Sequence, residues 1–335
     1  MMKSDRDPII AIATASGRGG IGIIRLSFSE SLNESVLTEL FGKTLKPRYA
    51  TLMNYKNASG EVLDQVIALF FPAPHSYTGE SVIEIQAHGG SVLLQLILRD
   101  ALQRLQKLGL RMAEPGEFTQ RAFLNGRIDL LQAEADADVI DAVSGQAAKA
   151  AHRSLSGEFS QVIHAMGERL DELRAYIEAT LDFPEEEVEH LQSARIETRL
   201  TELQRDLDVI FRKAQQGNVL RDGLTVAIIG SPNVGKSSLL NCLAEQDVAI
   251  VTDVPGTTRD KIECWITIHG IPITMIDTAG IRETSDVVEN KGIERALDEV
   301  RKADAVLHLR DASGQVHHDE ALLKKVLSEV KSGVP

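Results

Sequence analysis

The sequence has few cysteines and no long apolar run, and both scarcities limit what the protein can be. Its two cysteines, Cys242 and Cys264, have neither metal-binding nor redox-motif spacing, so we expect reduced, buried thiols. No apolar run approaches the length of a membrane-spanning helix, and residues 1–7 lack the pattern of a signal peptide. We therefore expect a cytoplasmic protein that does not associate with membranes.

The sequence also lacks an excess of basic residues. Its 36 Lys and Arg stand against 49 Asp and Glu, which gives a net charge of −13. Residues 1–116 carry 12 basic and 11 acidic side chains, residues 117–217 carry 11 and 20, and residues 218–335 carry 13 and 18. A domain that binds nucleic acid by itself needs a basic surface. We therefore predict that no segment is an autonomous nucleic-acid binder.

Length and pattern predict a multidomain protein of mixed α/β and α+β class. A chain of 335 residues suggests two or three domains, and 43% hydrophobic residues can supply their cores. We predict an N-terminal α+β domain over residues 1–117, the first half of a helical bundle over residues 118–217, and a Ras-like P-loop domain over residues 218–335 that is incomplete.

The first domain is predicted to alternate strands and helices. Apolar runs and alternation predict strands at residues 9–14, 21–27, 62–71 and 81–88, and helical spacing predicts helices at 31–40 and 91–108. Residues 17–22 fit G-x-G-x-x-G, but a dinucleotide site needs a helix after its glycines, and a strand follows here. We therefore predict a tight glycine connection. Alternation in the last strand turns Glu84 away from Ile83 and Ile85, toward a cleft or solvent.

Residues 118–217 are predicted to form long helices. An apolar stripe runs through residues 154–179, and a break follows at 181–187, where Pro184 precedes acidic residues that suit a new helix start. A further amphipathic helix is predicted from residue 196 to 214, ending near Gly217.

A phosphate-binding loop stands at the start of the last domain. The segment from Gly230 to Ser237 fits G-x-x-x-x-G-K-[ST], with an apolar strand before it and helical spacing after it. The glycines let backbone N–H groups surround phosphate oxygens at a helix N-terminus. Lys236 is predicted to reach the β- and γ-phosphates, and Ser237 to ligate Mg²⁺.

Two further motifs follow in the order that GTPases use. Residues 252–260 occupy the place of a switch loop, with Thr258 as the candidate Mg²⁺ ligand. Paired strands at 262–268 and 273–276 then lead to Asp277-Thr278-Ala279-Gly280, a D-x-x-G motif. Its Asp is expected to reach Mg²⁺ and its Gly N–H the γ-phosphate.

The residue after the D-x-x-G glycine is Ile281, where Ras-like enzymes place a water-orienting Gln. Isoleucine cannot orient water. Hydrolysis is therefore either poor or assisted by another group. The candidates are Glu283, Asp286 and Glu289, with Arg259 and Arg282 as possible sources of positive charge.

Taken together, these stretches resemble the tRNA-modification GTPase MnmE family, also called TrmE. The resemblance runs along the whole chain and is most specific at residues 17–22, 115–126 and 182–186. Thr252-Asp253, residues 256–260 and the P-loop with Asn233 also match. A Pro-Asn P-loop by itself would suit Era- or EngA-like GTPases equally.

The resemblance implies an activity and partners. Members of the family hydrolyse GTP with K⁺ stimulation and modify the wobble uridine (U34) of certain tRNAs at C5. They act with the flavoprotein MnmG, which carries FAD and uses NADH, and with a one-carbon donor such as 5,10-methylenetetrahydrofolate. The N-terminal domain binds the folate and forms the homodimer, and tRNA binding falls largely to the MnmG partner in a heterotetramer.

The resemblance also implies site residues. Folate-binding positions match Arg25, Glu84 and Arg127, the water-orienting glutamate matches Glu289, and Lys236 completes the catalytic pair. Mg²⁺ is expected at Ser237 and Thr258. The K⁺ site maps to Asn233, Thr252, Val254 and Thr257. The GTP-binding residues implied are Asn233, Val234, Gly235, Lys236, Ser237, Ser238, Thr252, Asp253, Val254, Pro255, Gly256, Thr257, Thr258, Asp277, Thr278, Ala279 and Gly280.

The family pattern continues beyond the motifs present here. No N/T-K-x-D motif that reads guanine follows residue 309, and neither does a C-terminal Cys-x-Gly-Lys tail. We therefore expect a chain that binds phosphates but discriminates guanine poorly. Two other hypotheses stay open: an Era-like nucleotide-gated assembly switch without one-carbon chemistry, and a catalytically silent fragment that only dimerises.

Overall fold

The computed structural model describes residues 7–182, 189–230, 234–245, 263–268, 270–277, 298 and 300–312. The chain divides into two compact units, with the boundary between Glu134 and Ala135. Each unit has its own sheet.

The first unit is built on a six-stranded sheet in the order β3-β4-β5-β2-β1-β6. Its described strands are β1 (Ile9–Ile12), β2 (Ile21–Phe28), β3 (Thr51–Lys56), β4 (Val62–Phe71), β5 (Ser81–His88) and β6 (Arg111–Met112). Neighbouring strands are antiparallel except for β1 and β6, which are parallel. β2 begins at Ile21, so a strand and not a helix follows the glycines at residues 17–20, as predicted.

Helices α1 (Asn33–Phe41) and α2 (Ser91–Arg104) contribute to the core of this unit, together with short 3-10 turns at Glu30–Leu32 and Gln106–Leu108. Leu40 and Ile97 pack in one cluster with strand residues Leu26, Ile83 and Ile85. Side chains alternate along a strand. Arg25 and Glu84 therefore lie on the opposite face of the sheet, as the alternation in β5 predicts.

The sequence pattern missed β3 and β6. In β3, an edge strand, exposure alternates from residue to residue, but the residue types do not follow it, because the apolar Leu52 is exposed and the polar Thr51 is half-buried. The Tyr55 hydroxyl donates to Asp100 Oδ2 at 2.8 Å, and burial raises the pKa of this phenol. β6 has two residues and pairs through backbone groups alone, which leaves no apolar run to detect.

The described part of the second unit contains several helices and a four-stranded sheet in the order β10-β7-β9-β8. α4 (Leu130–Asp141) crosses the boundary between the units. The described elements after it are α5 (Gly145–Leu155), α6 (Glu158–Asp182), α7 (Glu189–Asp222), β7 (Leu224–Gly230), α8 (Lys236–Glu245), β8 (Glu263–Ile268), β9 (Ile271–Asp277) and β10 (Ala305–Leu309). β7 is parallel to β9 and β10, and β8 is antiparallel to β9. This confirms the predicted buried parallel strand before the P-loop.

The structure corrects the predicted helix end near Gly217. α7 continues to Asp222, and the turn comes at Gly223, whose φ is +74°. A Cβ at position 223 would lie 2.6 Å from the carbonyl oxygen of Pro272. Glycine inside a helix costs only about 1 kcal/mol relative to Ala, so Gly217 does not end α7.

Two other expectations change in the structure. Cys242 is exposed, not buried, because it lies one turn after the exposed Ser238 on the outer side of α8. In the stripe on α6, Leu173 is buried at 3% exposure, but Leu170 is 56% exposed and Val162 47% exposed. Among the described helices, α6 contacts α5 and α7, which cover only part of the stripe.

A buried ion cluster fastens α3 (Glu117–Leu124) to the first unit. Arg111 donates to both carboxylate oxygens of Glu117, at 2.8 and 2.7 Å, and Arg121 donates to Glu117 Oε1 at 2.9 Å. Glu117 is 7% exposed and Arg121 is 3% exposed. The hydrogen bonds from Arg111, with those from the Glu114 N–H and Arg121, lower the pKa of Glu117 to about 2, although burial opposes this.

We predict that Glu117 makes the stability of the protein acid-sensitive. A carboxyl with a depressed folded-state pKa stabilises the fold above its unfolded value of 4.5, and this contribution is lost as pH falls toward about 2. Glu117→Gln should lower the free energy of unfolding at pH 7 by roughly 3 kcal/mol or more, because Arg121 would keep a buried charge with a weakened partner. It should also make the free energy of unfolding depend less on pH in the acidic range. Denaturant unfolding between pH 2 and pH 7 measures both.

The matched control is Glu39→Gln, which removes an exposed carboxylate on α1 in the same unit. It should leave both the stability and its pH dependence within about 0.5 kcal/mol of the wild type. The prediction would be contradicted if the free energy of unfolding fell equally with falling pH in the Glu117→Gln protein and in the wild type.

Candidate functional site

A strand precedes the phosphate-binding loop and a helix follows it, as the motif requires. Ala227, Ile228 and Ile229 are buried in β7, and α8 begins at Lys236. Gly230 has a φ of +155°, and a Cβ there would lie 2.6 Å from the Leu309 carbonyl oxygen of neighbouring β10. Glycine is therefore required at the end of the strand by both conformation and space.

Lys236 lies inside this loop. Its Nζ donates to the Gly230 carbonyl oxygen at 2.7 Å, and the residue is 7% exposed. Gly235, with a φ of +102°, precedes it and turns the chain into the helix. The ammonium group and the first N–H groups of α8 thus lie at one end of the helix, where an anion is favoured.

Most of the other predicted nucleotide and ion positions are outside the described residues. For Ser237 and Asp277 only the backbone is described: Ser237 in the first turn of α8, and Asp277 as the last residue of β9. Val234 is described, and Ser238 is exposed on α8. The positions outside are Asn233, Thr252, Asp253, Val254, Pro255, Gly256, Thr257, Thr258, Thr278, Ala279, Gly280 and Glu289.

A second cluster lies on the sheet face of the first unit that is opposite the core formed with α1 and α2. Arg25 on β2 and Glu84 on β5 are register partners, and Leu69 on β4 is the next residue across. Arg25 Nε donates to Glu84 Oε1 at 2.9 Å, and Arg25 Nη2 lies 2.8 Å from the same oxygen. The structure thus brings together two of the three predicted folate-binding residues.

Two aromatic rings that the sequence did not single out flank Arg25. Its guanidinium carbon lies 5.6 Å from the ring centroid of Tyr77 and 5.8 Å from that of Phe118. Tyr77 and Thr119 join their hydroxyls at 2.8 Å, which ties the residue 72–80 loop to α3. No spacing rule links residues 25, 77 and 118, because they come from a strand, a loop and a helix.

Arg127 lies close to the same loop, at Gly79. The residue is exposed, and its Cγ would lie 3.1 Å from a Cβ added to Gly79, whose φ is +78°. Asn125 donates from Nδ2 to the Thr78 carbonyl oxygen at 2.7 Å. The loop therefore connects Arg127 with the Arg25–Glu84 pair.

The first unit thus presents a guanidinium–carboxylate pair between two aromatic rings, with a second guanidinium close to the same loop. Such groups suit a planar heterocycle with N–H donors and an attached anionic group. In the part of the chain that is described, no three His, Cys, Asp or Glu side chains come together as a metal site. None of the described helices combines the length and the apolarity needed to cross a membrane.

Comparison with known proteins gives two family matches that together cover most of the chain. Residues 8–127 match the family described as GTP-binding protein TrmE N-terminus, and residues 130–332 match the MnmE helical domain. Among solved structures, the G domain of the T. maritima FeoB iron transporter aligns with 32% of this chain and 66% of that chain, at 30% identity and a TM-score of 0.24. That score is too low to support an argument from shape.

Curated relatives match over the full length of this chain. The tRNA modification GTPase MnmE of Acidovorax sp. (strain JS42) is 52% identical over 342 residues, which is 100% of this chain and 73% of the relative. The protein of the same name from Paraburkholderia xenovorans (strain LB400) is 51% identical over 339 residues, covering 100% of this chain and 72% of the relative. Identity of this degree, together with the two family matches, shows that the chain belongs to the MnmE family of tRNA modification GTPases.

Proposed function

We propose that this protein is the GTP-hydrolysing component of a tRNA modification system that acts at C5 of the wobble uridine. The supporting observation is that one chain of the MnmE family carries both a phosphate-binding loop and, on a separate unit, the Arg25–Glu84 pair between aromatic rings. The first suits a nucleoside triphosphate and the second a folate. The flavoprotein MnmG, with FAD and NADH, is the proposed partner of a homodimer formed through the N-terminal domain.

In the nucleotide site, Lys236 is held beside the phosphate-binding loop. Its Nζ donates to the Gly230 carbonyl oxygen at 2.7 Å. When GTP binds, the ammonium group can turn to the β- and γ-phosphate oxygens while the N–H groups of the loop and of the first turn of α8 surround them. These donors stabilise the negative charge that develops in phosphoryl transfer.

The ions in this proposal are held by side chains of the loop and the switch. Ser237 and Thr258 would hold Mg²⁺, and Asn233 with Thr252, Val254 and Thr257 would hold K⁺. When bound, such cations neutralise charge on the phosphate oxygens. Glu289 would orient the attacking water, a task that Ile281 cannot perform.

In the folate site, the Arg25–Glu84 pair has to offer hydrogen-bonding groups to the ligand. Glu84 uses Oε1 for both contacts with Arg25, so Oε2 can accept hydrogen bonds from the N–H groups of a pterin ring. Tyr77 and Phe118 keep the Arg25 guanidinium in place while this happens. Arg127 is exposed beside the loop and can pair with an acceptor or a carboxylate of the ligand.

We predict that Glu84→Gln weakens folate binding by about 10- to 100-fold, because a charge-assisted hydrogen bond contributes about 1.5–3 kcal/mol. Calorimetry of the full chain with 5-formyltetrahydrofolate measures this. Arg99→Ala, which removes an exposed guanidinium from α2, is the matched control and should bind like the wild type. A wild-type protein that hydrolyses GTP but does not bind the folate would favour the Era-like assembly switch.

We predict that Lys236→Ala weakens binding of GTP by about 10-fold or more and abolishes most hydrolysis, because the phosphates lose an adjacent ammonium group. Competition against a fluorescent GTP analogue gives the affinity, and phosphate release gives the rate. Cys242→Ala, an exposed change on the same helix, should alter neither. Wild-type affinity in the Lys236→Ala protein would show that the loop does not hold the phosphates.

We predict that hydrolysis is faster in K⁺ than in Na⁺ at equal ionic strength, and that Asn233→Ala removes the difference. Equal turnover of the full-length wild-type protein in the two salts would refute the potassium site.

We predict that Glu289→Ala lowers the turnover number by about 100-fold with little change in nucleotide affinity, as expected for a water-orienting group. Unchanged turnover in the Glu289→Ala protein would refute the role of that glutamate.

A further inference from the structure

The residue 72–80 loop, which carries Tyr77, is held in place by buried polar contacts. Ser27 and Thr78 are both 0% exposed, and their hydroxyl oxygens lie 2.7 Å apart. Ser27 Oγ also donates to Glu80 Oε2 at 2.6 Å. Ser27 is two residues after Arg25 on β2 and lies on the same face, so the loop is fixed to the strand that carries the proposed folate ligand.

Arg121 extends these contacts into α3. Its Nη1 donates to Glu80 Oε2 at 3.0 Å, and its Nη2 donates to Glu117 Oε1 at 2.9 Å and to the Asp7 carbonyl oxygen at 2.7 Å. One guanidinium group therefore joins the loop, the helix and the start of the chain. Its Nε has no hydrogen-bond partner among the described residues, so the side chain is placed by these three acceptors.

The two rings around Arg25 lie on the two elements that Arg121 joins. Tyr77 belongs to the loop that Glu80 ends, and Phe118 belongs to α3, which also carries Arg121. If Arg121 releases Glu80, the loop keeps its contacts to Ser27, Asn125 and Thr119 but loses its charged link to the helix. The distance between the two rings then depends on the uncharged Tyr77–Thr119 hydroxyl contact instead of on an ion pair.

We propose that Arg121 is a positioning residue for the folate site: through Glu80 it sets the residue 72–80 loop against α3, and so holds both Tyr77 and Phe118 beside Arg25. This inference rests on the proposed folate function. Arg121 is 3% exposed and is not expected to touch the ligand. Its effect on binding would pass through the loop.

A purely structural role for Arg121 makes a different prediction, and Arg111 provides the comparison. Arg111 donates to the same carboxylate, Glu117, and is tied to Asp7 by a 3.6 Å contact. The structure gives Arg111 no contact with Glu80, whereas Arg121 has one at 3.0 Å. Arg111→Lys should therefore weaken the ion cluster and the stability of the protein without releasing the loop.

The test compares Arg121→Lys, Glu80→Ala, their double mutant and Arg111→Lys in the full chain. Lysine keeps the positive charge but cannot reach three acceptors in one plane. We expect Arg121→Lys and Glu80→Ala each to weaken binding of 5-formyltetrahydrofolate by about tenfold, which corresponds to about 1.4 kcal/mol. The double mutant should lose no more than either single mutant, because both remove the same link. Arg111→Lys should bind like the wild type.

Amide hydrogen exchange without folate provides a second measurement that does not depend on the folate proposal. In the Arg121→Lys and Glu80→Ala proteins, exchange should rise at least fivefold in peptides covering residues 72–80 and stay unchanged in the β2 and β5 strands. Glu80→Gln, which keeps an acceptor for Ser27 and Arg121, should lie between Glu80→Ala and the wild type.

Three results would overturn the inference: wild-type loop exchange in the Arg121→Lys and Glu80→Ala proteins, an equal loss of folate affinity in Arg111→Lys, or additive losses in the double mutant. If Arg121→Lys does not fold, Glu80→Ala decides alone, since Glu80 contributes no partner to Glu117. A wild-type protein that fails to bind folate would refute the proposed folate function, while the exchange measurement would still test the positioning role.

Discussion

The carboxylate of Glu117 is shared by two guanidinium groups, and much of the first unit depends on this arrangement. A buried charge without partners would cost several kcal/mol, so the helix that carries it has to stay where Arg111 and Arg121 can both reach it. This places α3 against β6 and the start of the chain. Phe118 and Thr119 follow Glu117 on the same helix. The cluster reaches the loop that carries Tyr77 through the contact between Arg121 and Glu80.

The apolar core of the first unit lies on one face of the sheet, and charged side chains lie on the other face. Helices α1 and α2 take part in the core with the apolar side chains of β2, β4 and β5, so the alternate side chains of those strands need no apolar partner. Arg25 and Glu84 occupy that second face as register partners. Their charges neutralise each other at 16–29% side-chain exposure, where a single charge would be poorly solvated. A ligand that replaces one of these contacts with its own hydrogen bonds can therefore bind without leaving a charge unpaired.

In the second unit, two glycines are required because backbone segments pass very close to each other. β10 passes so near Gly230 that a Cβ would meet the Leu309 carbonyl oxygen, and the turn at Gly223 is equally close to Pro272. Both glycines stand at the ends of β7 and α7, where the chain changes direction. Lys236 begins α8, and its Nζ donates to the Gly230 carbonyl oxygen at the end of β7. Phosphate chemistry at this position thus follows from a local arrangement of strand, turn and helix.

This locality explains what the sequence by itself determined. The P-loop is a contiguous motif whose strand and helix are read from neighbouring residues, so Gly230, Gly235 and Lys236 were predicted with their surroundings. Strands β2, β4 and β5 and helices α1 and α2 followed from their periodicity, and Glu84 was placed on the correct face by alternation. The resemblance to the MnmE family added Arg25 and Arg127, for which the pattern alone gave no reason.

Only the tertiary structure decided the rest. The edge strand β3 has one buried residue and β6 has two residues in all, so neither leaves an apolar pattern. Arg25, Tyr77 and Phe118 come together because an antiparallel pairing, a loop and a distant helix meet, and no spacing in the chain records that meeting. The ion cluster is equally invisible in sequence, since Arg121 joins Glu80 and Asp7 across 41 and 114 residues. Contacts between neighbouring residues can be read from sequence because periodicity and turn chemistry are local, whereas long-range polar contacts depend on how the elements pack.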